Sequence, residues 1–480
     1  MITKKGIWLL VFFTIFQLPN GLESECTSQA IQQVGAGSKP AIFQEELLYE
    51  IPPGAEDLGM SPNGRQVVWR TKKDKKWVMV VNGEPGPEFD GIGGAYAFSP
   101  DSQHFAYIAR RGKSAQVLLD GKEYGNVYSA YTPGGAPQEL TFSADSQHLA
   151  YFAGSGKKYR LVLDGQEQGP ESKLGSMSVP VLSPDGRRWA YWALKSVLYN
   201  FYMVTDGDQT AHEAIMGGDG KILYGSQPRF SPDGKHFAYI AARSKGGLRK
   251  HKEYLVIDGQ EYKEFDGGVS NLVFSPDSQH LAYTAVDSEL TSNKASVIVD
   301  GKPGPGFEWI VAAPIFSPDS QHVGYIAINK EGVSAQVIDD QVTYANITYM
   351  YSGKVSADYR ELRFSPDGHR LAYVVDYPGE LIKGGHSLFL DAKQHWYGAY
   401  LQDLGTPVFS PSGRFLAVPV GRIITIQENI KRWSMIINER EGKLFDMIWI
   451  KTLTFSADER QATYVAKEGN KLYLVTQTVE

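Results

Sequence analysis

One ten-residue phrase constrains this chain more than any other feature. Phe98-Ser99-Pro100-Asp101-Ser102-Gln103-His104-Phe105-Ala106-Tyr107 occurs in close variants whose serines are Ser61, Ser99, Ser143, Ser183, Ser231, Ser275, Ser317, Ser365, Ser410 and Ser456. A repeat every 38 to 48 residues means that each copy is one small supersecondary unit. Such a unit cannot bury its hydrophobic face alone and must stack against its neighbours.

The residue types say what the unit is. The position before the serine is always apolar, from Met60 and Phe98 through Leu182 to Phe455. Proline presets φ for the first turn position, Asp or Ser bonds its own backbone, and Gly or Ser accepts a left-handed conformation. The stretch that follows, such as His280-Leu281-Ala282-Tyr283, returns as a strand. Ala144 and Ala457 replace the proline, and Asn63 and Ser412 replace the aspartate, without changing the pattern.

A second signal lies between these turns. Val117-Leu118-Leu119-Asp120-Gly121, Leu161-Val162-Leu163-Asp164-Gly165, Leu255-Val256-Ile257-Asp258-Gly259 and Val297-Ile298-Val299-Asp300-Gly301 are apolar runs ending in a strong hairpin dipeptide. Each period therefore holds four antiparallel strands, a to d, with a–b joined by Ser-Pro-Asp and c–d by Asp-Gly. The expected fold is all-β: a propeller of about ten four-stranded blades, in one large ring or two. Leu47-Leu48-Tyr49-Glu50-Ile51 has no c strand before it, and Leu472-Tyr473-Leu474-Val475 has no d strand after it. The N-terminal strand is thus expected to complete the last blade and cover both open edges.

The repeat resembles that of TolB-type, WD-like propellers, also found in the propeller domains of prolyl oligopeptidases, over about residues 46–476. The resemblance implies the fold. TolB also carries an α/β domain for which this chain has no room, so its partners are not carried over. The peptidase reading falls because no Gly-x-Ser-x-Gly elbow is present.

The N-terminus reads as an address. Lys4 and Lys5 precede an apolar run from Ile7 to Leu18. Twelve helical residues span about 18 Å, short of a bilayer core of about 30 Å. Residues 1–26 are expected to be a signal peptide, residues 27–44 a flexible tether, and 45–480 the repeats. Ser28 and Ala30 are small enough for cleavage but lie far from the apolar run. Glu23 and Glu25 spoil the lipobox that a lipid anchor at Cys26 would need. No other run is long enough to span a membrane, and the expected location is periplasmic or extracellular.

A formal charge of −6 argues against a nucleic-acid partner, and one cysteine leaves no disulfide framework or Cys-rich zinc site. His104, His148, His236, His280 and His322 share one repeat position, five after the serine, which explains them as blade structure rather than metal ligands. Asp206-Gly207-Asp208 and Asp219-Gly220 lack the full run of a calcium loop and read as turns. Neither a Walker loop nor His-Glu-x-x-His appears, and no cofactor is expected. Asn346-Ile347-Thr348 is a glycosylation sequon, meaningful only in a eukaryotic secretory pathway.

Binding is expected on the face formed by the b–c and d–a loops, which vary in length while the turns do not. That face offers Tyr128, Tyr131, Tyr349, Tyr351 and Tyr377 and the basic cluster Arg249, Lys250 and His251 with Lys252. Arg229 and Arg363 stand where other a strands carry Ala97, Val181, Val273, Ile315 or Val408, a position expected to be buried between blades. They serve as structural ion pairs or reach a ligand in the tunnel. The leading expectation is a non-catalytic propeller that binds a protein or polysaccharide of the cell envelope. The alternative is a glycan hydrolase or lyase, with Glu139 and Glu361 as the first suspects and two carboxylates about 5–10 Å apart as its mark.

Overall fold

The computed structural model describes residues 39–479, apart from 130–137, 156–157, 174–178, 197–199, 213–227, 245–250, 288–289, 293, 349, 352–353, 356–357, 378–384, 400–401 and 426–429. The expected signal peptide, with Cys26, Ser28 and Ala30, lies outside the described residues.

Ten antiparallel sheets follow one another along the chain. Blade 1 runs from Glu56 to Phe89, blade 2 from Gly91 to Ser129, blade 3 from Gln138 to Lys173 and blade 4 from Val181 to His212. Blade 5 covers Arg229–Phe265, blade 6 Val269–Pro303, blade 7 Trp309–Thr348 and blade 8 Asp358–Ala399. Blade 9 covers Gln402–Glu441, its first strand split into Gln402–Leu404 and Val408–Phe409. Blade 10 runs from Met447 to Thr478 and takes its fourth strand, Phe43–Glu50, from the N-terminal end of the described chain. That strand starts two residues before the expected boundary at 45, since Phe43 and Gln44 already pair with Gln477 and Thr476.

Ten hydrophobic clusters, each shared by two neighbouring blades, join the sheets into one closed ring. The closing cluster sets Leu472 of blade 10 against Ile51, Val67, Trp69 and Val78. The a strands of successive blades touch and form the inner wall, while the d strands are the most exposed. The b and c strands are buried on both faces, which is why they read as continuous apolar runs rather than alternating ones. Eight motif tyrosines, eight residues after the serine, fill the seams, with Trp69 and Val418 in the other two copies.

The repeated turn is a small polar machine. Nine motif serines are buried, and in all ten copies the serine Oγ accepts the N–H of the residue five positions on, at 2.9–3.1 Å. In eight copies the same hydroxyl donates to the aspartate two residues on. The third residue after the serine has positive φ in every copy; it is Glu459 in the last, and in the other nine serine and glycine divide the work. As serine it links blades: the Asp101 N–H donates to Ser146 Oγ, Asp233 to Ser278 and Asp277 to Ser320. As glycine it makes room. A Cβ on Gly186 would lie 2.6 Å from the Cβ of His148 in the preceding blade.

The histidines join the two turns of each blade. His104, His148, His236, His280 and His322 bond through Nδ1, at 2.6–2.8 Å, to the aspartate of the c–d turn. The other oxygen of that aspartate accepts the next backbone N–H. Arg188 and Arg370 do the same work in blades 4 and 8.

The serine hydroxyl holds the motif aspartates Asp101, Asp145, Asp185, Asp233, Asp277, Asp319, Asp367 and Asp458 below the usual carboxylate range. A depressed folded pKa gives stability that is present above the unfolded value and lost as pH falls through the folded one. The melting temperature is therefore expected to hold between pH 7 and 5 and to drop below about pH 4. Asp277→Asn should flatten that drop in a pH series of thermal melts, and an unchanged acid limb would contradict the argument.

Candidate functional site

The a–b and c–d turns all lie on one face of the ring, and the b–c and d–a connections lie on the other. The repeated turns of the turn face satisfy most of their polar groups among themselves. The loop face is where strand ends differ from blade to blade, and among the described residues one group of charges sits where blade 8 meets blade 9, with a second, around Arg432 and Lys443, where blade 9 meets blade 10.

Arg360 is at the centre of the first group. It lies on strand a of blade 8, and its Nε donates to Asp376 Oδ2 at 2.5 Å. Its Nη2 reaches Asp376 Oδ1 at 3.1 Å and Asp403 Oδ1, in blade 9, at 3.3 Å. His386, paired with Asp376 across strands b and c, bonds the same carboxylate through Nδ1 at 2.6 Å. Lys431 Nζ closes the network on Asp403 Oδ2 at 2.7 Å and lies over the ring of Trp433. All of these side chains are between a quarter and two-fifths exposed.

Burial pushes the Asp376 carboxyl up, but the hydrogen bonds from His386 and Arg360 outweigh it and hold the group below its ordinary value. Asp376 is thus ionised at neutral pH and matched by the Arg360 guanidinium. Replacing Arg360 by Ala leaves Asp376 and Asp403 facing each other without it. For this half-exposed site the expected loss is about 1–2 kcal/mol at pH 7. Because the depressed Asp376 pKa contributes only above its unfolded value, the loss should shrink as pH falls below about 4. Urea melts of Arg360→Ala at the two pH values check this.

The expected site residues fall in different places. Tyr128 is not on a loop. It lies on strand d of blade 2, is 7% exposed and belongs to the seam with blade 3, beside Leu149 and Tyr151. Arg229 and Arg363 are exposed rather than buried between blades, and their equivalents Ala97, Val181, Val273, Ile315 and Val408 are only partly buried. The a strands form the inner wall of the ring, so the side of the inner strand that faces the axis is not covered by a neighbouring sheet. Arg363 uses that freedom locally, donating to the Leu362 carbonyl at 2.8 Å and approaching Glu361 at 3.4 Å.

Glu361 occupies a bulge of strand a with φ 59°, matched by Asp57 and Asn271 at the same repeat position. Tyr351 pairs with Lys354 in a two-stranded ribbon between blades 7 and 8. Tyr377 ends strand b of blade 8 opposite Gly385, and His251 begins strand c of blade 5 opposite Ser244. Glu139 lies on strand a of blade 3. Tyr131, Tyr349, Arg249 and Lys250 lie outside the described residues.

The Arg360 network escaped the sequence reading although it left a trace. Asp376 is eleven residues after its serine, where the other blades carry Val286, Ile328, Leu194, Ala242 or a glycine or cation, never an acid. Among the described residues no three histidine, cysteine or acidic side chains converge as a metal site requires, and no helix is long and apolar enough to cross a membrane.

The fold and site define a single-ring, ten-bladed β-propeller. By sequence the chain matches no family model and no curated protein. By structure it is similar to a eukaryotic initiation factor at 14% identity and a TM-score of 0.41, covering 75% of this chain and 96% of that one. It is also similar to a putative dipeptidyl aminopeptidase IV from Bacteroides ovatus, at 10% identity and a TM-score of 0.40, covering 90% of this chain and 66% of that one. For Porphyromonas gingivalis dipeptidyl peptidase 4 the values are 12% and 0.38, with 78% and 64% covered. Likenesses at these scores say nothing of activity, and the blade count rests on the sheets themselves.

Proposed function

We propose that this protein is a non-catalytic propeller, secreted or periplasmic, that binds a protein or polysaccharide of the cell envelope through its loop face. The observation carrying the reading is the contrast between the faces. The repeated turns spend most of their polar groups on themselves, whereas the loop face presents the charged Arg360 network on a rigid two-blade support. Aromatic and arginine side chains on a stiff scaffold suit recognition. The likeness of the repeated turn to TolB-type propellers and the signal-like N-terminus belong to this proposal and fit an envelope location.

The test is recovery of partners from envelope extracts by the wild type and by a Tyr351→Ala/Arg360→Ala double variant. Loss of a partner that the wild type retains is the expected result. Equal recovery by a folded double variant, with no envelope polysaccharide retained differently, overturns the assignment of the face.

A second reading has one observation in its favour. Asp376 and Asp403 both bond one nitrogen of Arg360, at 3.1 and 3.3 Å, so two carboxylates meet on the loop face no further apart than a glycosidase pair allows. Such an enzyme needs one of the two protonated as the acid, and the guanidinium between them favours ionisation of both. Turnover of an envelope polysaccharide that is abolished by Asp376→Asn would establish the enzyme and displace the binding reading.

A further inference from the structure

Between blades 6 and 7, on the turn face, the seam opens into a cleft of about 330 Å³. Two departures from the repeat create it. Strand d of blade 6 is only Lys302–Pro303, after which the chain bulges away and rejoins strand c only at the Ala295–Phe307 bridge. The c–d turn of blade 7 reads Asp339-Asp340, where five other blades have Asp-Gly. Three carboxylates line the cleft, Asp300, Asp339 and Asp340, with Lys302 and His280; Asp300 and Asp339 already bond His280 and His322.

A buried group is left unsatisfied there. Tyr325 is 2% exposed, its hydroxyl lines the cleft, and that hydroxyl has no hydrogen-bond partner among the described residues. A buried hydroxyl without a partner is costly. The seam between blades 9 and 10 provides an internal comparison. Strand d of blade 9 is equally short, Arg440–Glu441, and the equivalent Tyr464 hydroxyl donates to Gln477 Oε1 at 3.1 Å. Gln477 fills that seam, and no side chain takes its place at Tyr325. A Cβ placed on Gly304 would lie 3.4 Å from the Tyr325 hydroxyl and 3.5 Å from Asp340 Oδ1, so the two groups converge over a glycine that leaves the space open.

We propose that this cleft binds a guanidinium or primary ammonium group. The cation donates to the Asp340 carboxylate and the Tyr325 hydroxyl oxygen, and its aliphatic stem lies along Val297, Val299 and Val323. The carboxylate excess selects a cation over an anion, and the volume fits a small organic group better than a single water. The protein already uses this chemistry in its own seams. The Arg188 guanidinium bonds the turn aspartate Asp206 at 3.0 Å and lies 5.2 Å over Phe230 of the next blade. At the present seam His280 holds the corresponding place, bonding Asp300 at 2.7 Å and stacking on Phe316 at 6.4 Å, so the added cation is left to Asp340 and Tyr325. The site lies on the face opposite the proposed envelope-binding surface, so the two proposals fail separately.

Calorimetric titration of the full chain tests it with Nα-acetyl-arginine amide, its uncharged isostere Nα-acetyl-citrulline amide, and spermidine. The arginine probe should saturate, with the citrulline probe at least about tenfold weaker. Asp340→Asn and Tyr325→Phe should each weaken the arginine probe severalfold, and Lys302→Ala should tighten it by removing a competing cation. The last effect cannot come from misfolding. Saturation by spermidine but not by the arginine probe assigns the site to free polyamines rather than peptide side chains. Absence of saturation by either cation at about 10 mM overturns the proposal, as does equal binding of the citrulline probe or an unchanged affinity in Asp340→Asn.

Discussion

A chain begun at Pro52 should fail to close and should aggregate on refolding, with no cooperative melt. The strand it lacks, Phe43–Glu50, pairs along the full length of Lys471–Thr478. Without it, blade 10 presents a bare outer edge of unpaired backbone groups, a template for joining another chain. The loss extends into the seam. Ile51 is 5% exposed in the cluster between blades 10 and 1, with Leu48 and Tyr49 packed against it. Their removal uncovers neighbours such as Val67, Val78 and Leu472, at up to about 1.5–3 kcal/mol for each side chain fully exposed, a large part of a domain's net stability. Lys443 also loses Glu45, one of its two carboxylate partners. Light scattering and thermal melts of the shortened chain measure the effect, and a synthetic peptide of residues 39–51 added in trans should reverse it. A shortened chain that melts like the full one would mean that the ring does not depend on this strand.

Trp192→Ala should destabilise the protein by about 3–5 kcal/mol. Trp192 is fully buried in the seam between blades 4 and 5, edge-on to Tyr239 at 5.5 Å, with Met203 and Val256 around it. Nothing nearby can collapse into the space without breaking the register of two blades. Denaturant melts would give the loss as a lower midpoint at unchanged slope. A change below about 1 kcal/mol would mean that the seam repacks and that neighbouring blades are coupled only loosely. Tyr128→Ala belongs to the same class. Its effect on binding would come through the seam between blades 2 and 3, so Tyr351 and Arg360 are the sounder probes of the loop face.

The loop face was legible only as a location. Antiparallel order separates turns from loops, and that much follows from strand count. Which side chains meet there does not. Tyr128 looked like a loop tyrosine because its strand d carries few apolar residues, yet the strand continues to Ser129 and turns that ring into the seam. Arg229 and Arg363 looked buried because their equivalents are apolar, but the ring geometry leaves that side of the inner strand open. Arg360, Asp376, His386, Asp403 and Lys431 are spread over 72 residues and two blades, with no spacing rule to connect them.

The amino-acid sequence alone determined the blade, the number of copies, the turn chemistry and the strand that closes the ring, because each follows from contacts inside one period or between the two ends. The tertiary structure decided that ten blades make one ring, which glycines stand against a neighbour, where the charges of blades 8 and 9 converge, and where the seam at Tyr325 stays open. Those features depend on how one blade is set against the next. A repeat of local contacts specifies its own strands and turns, but the gap left between two repeats depends on the shapes of both.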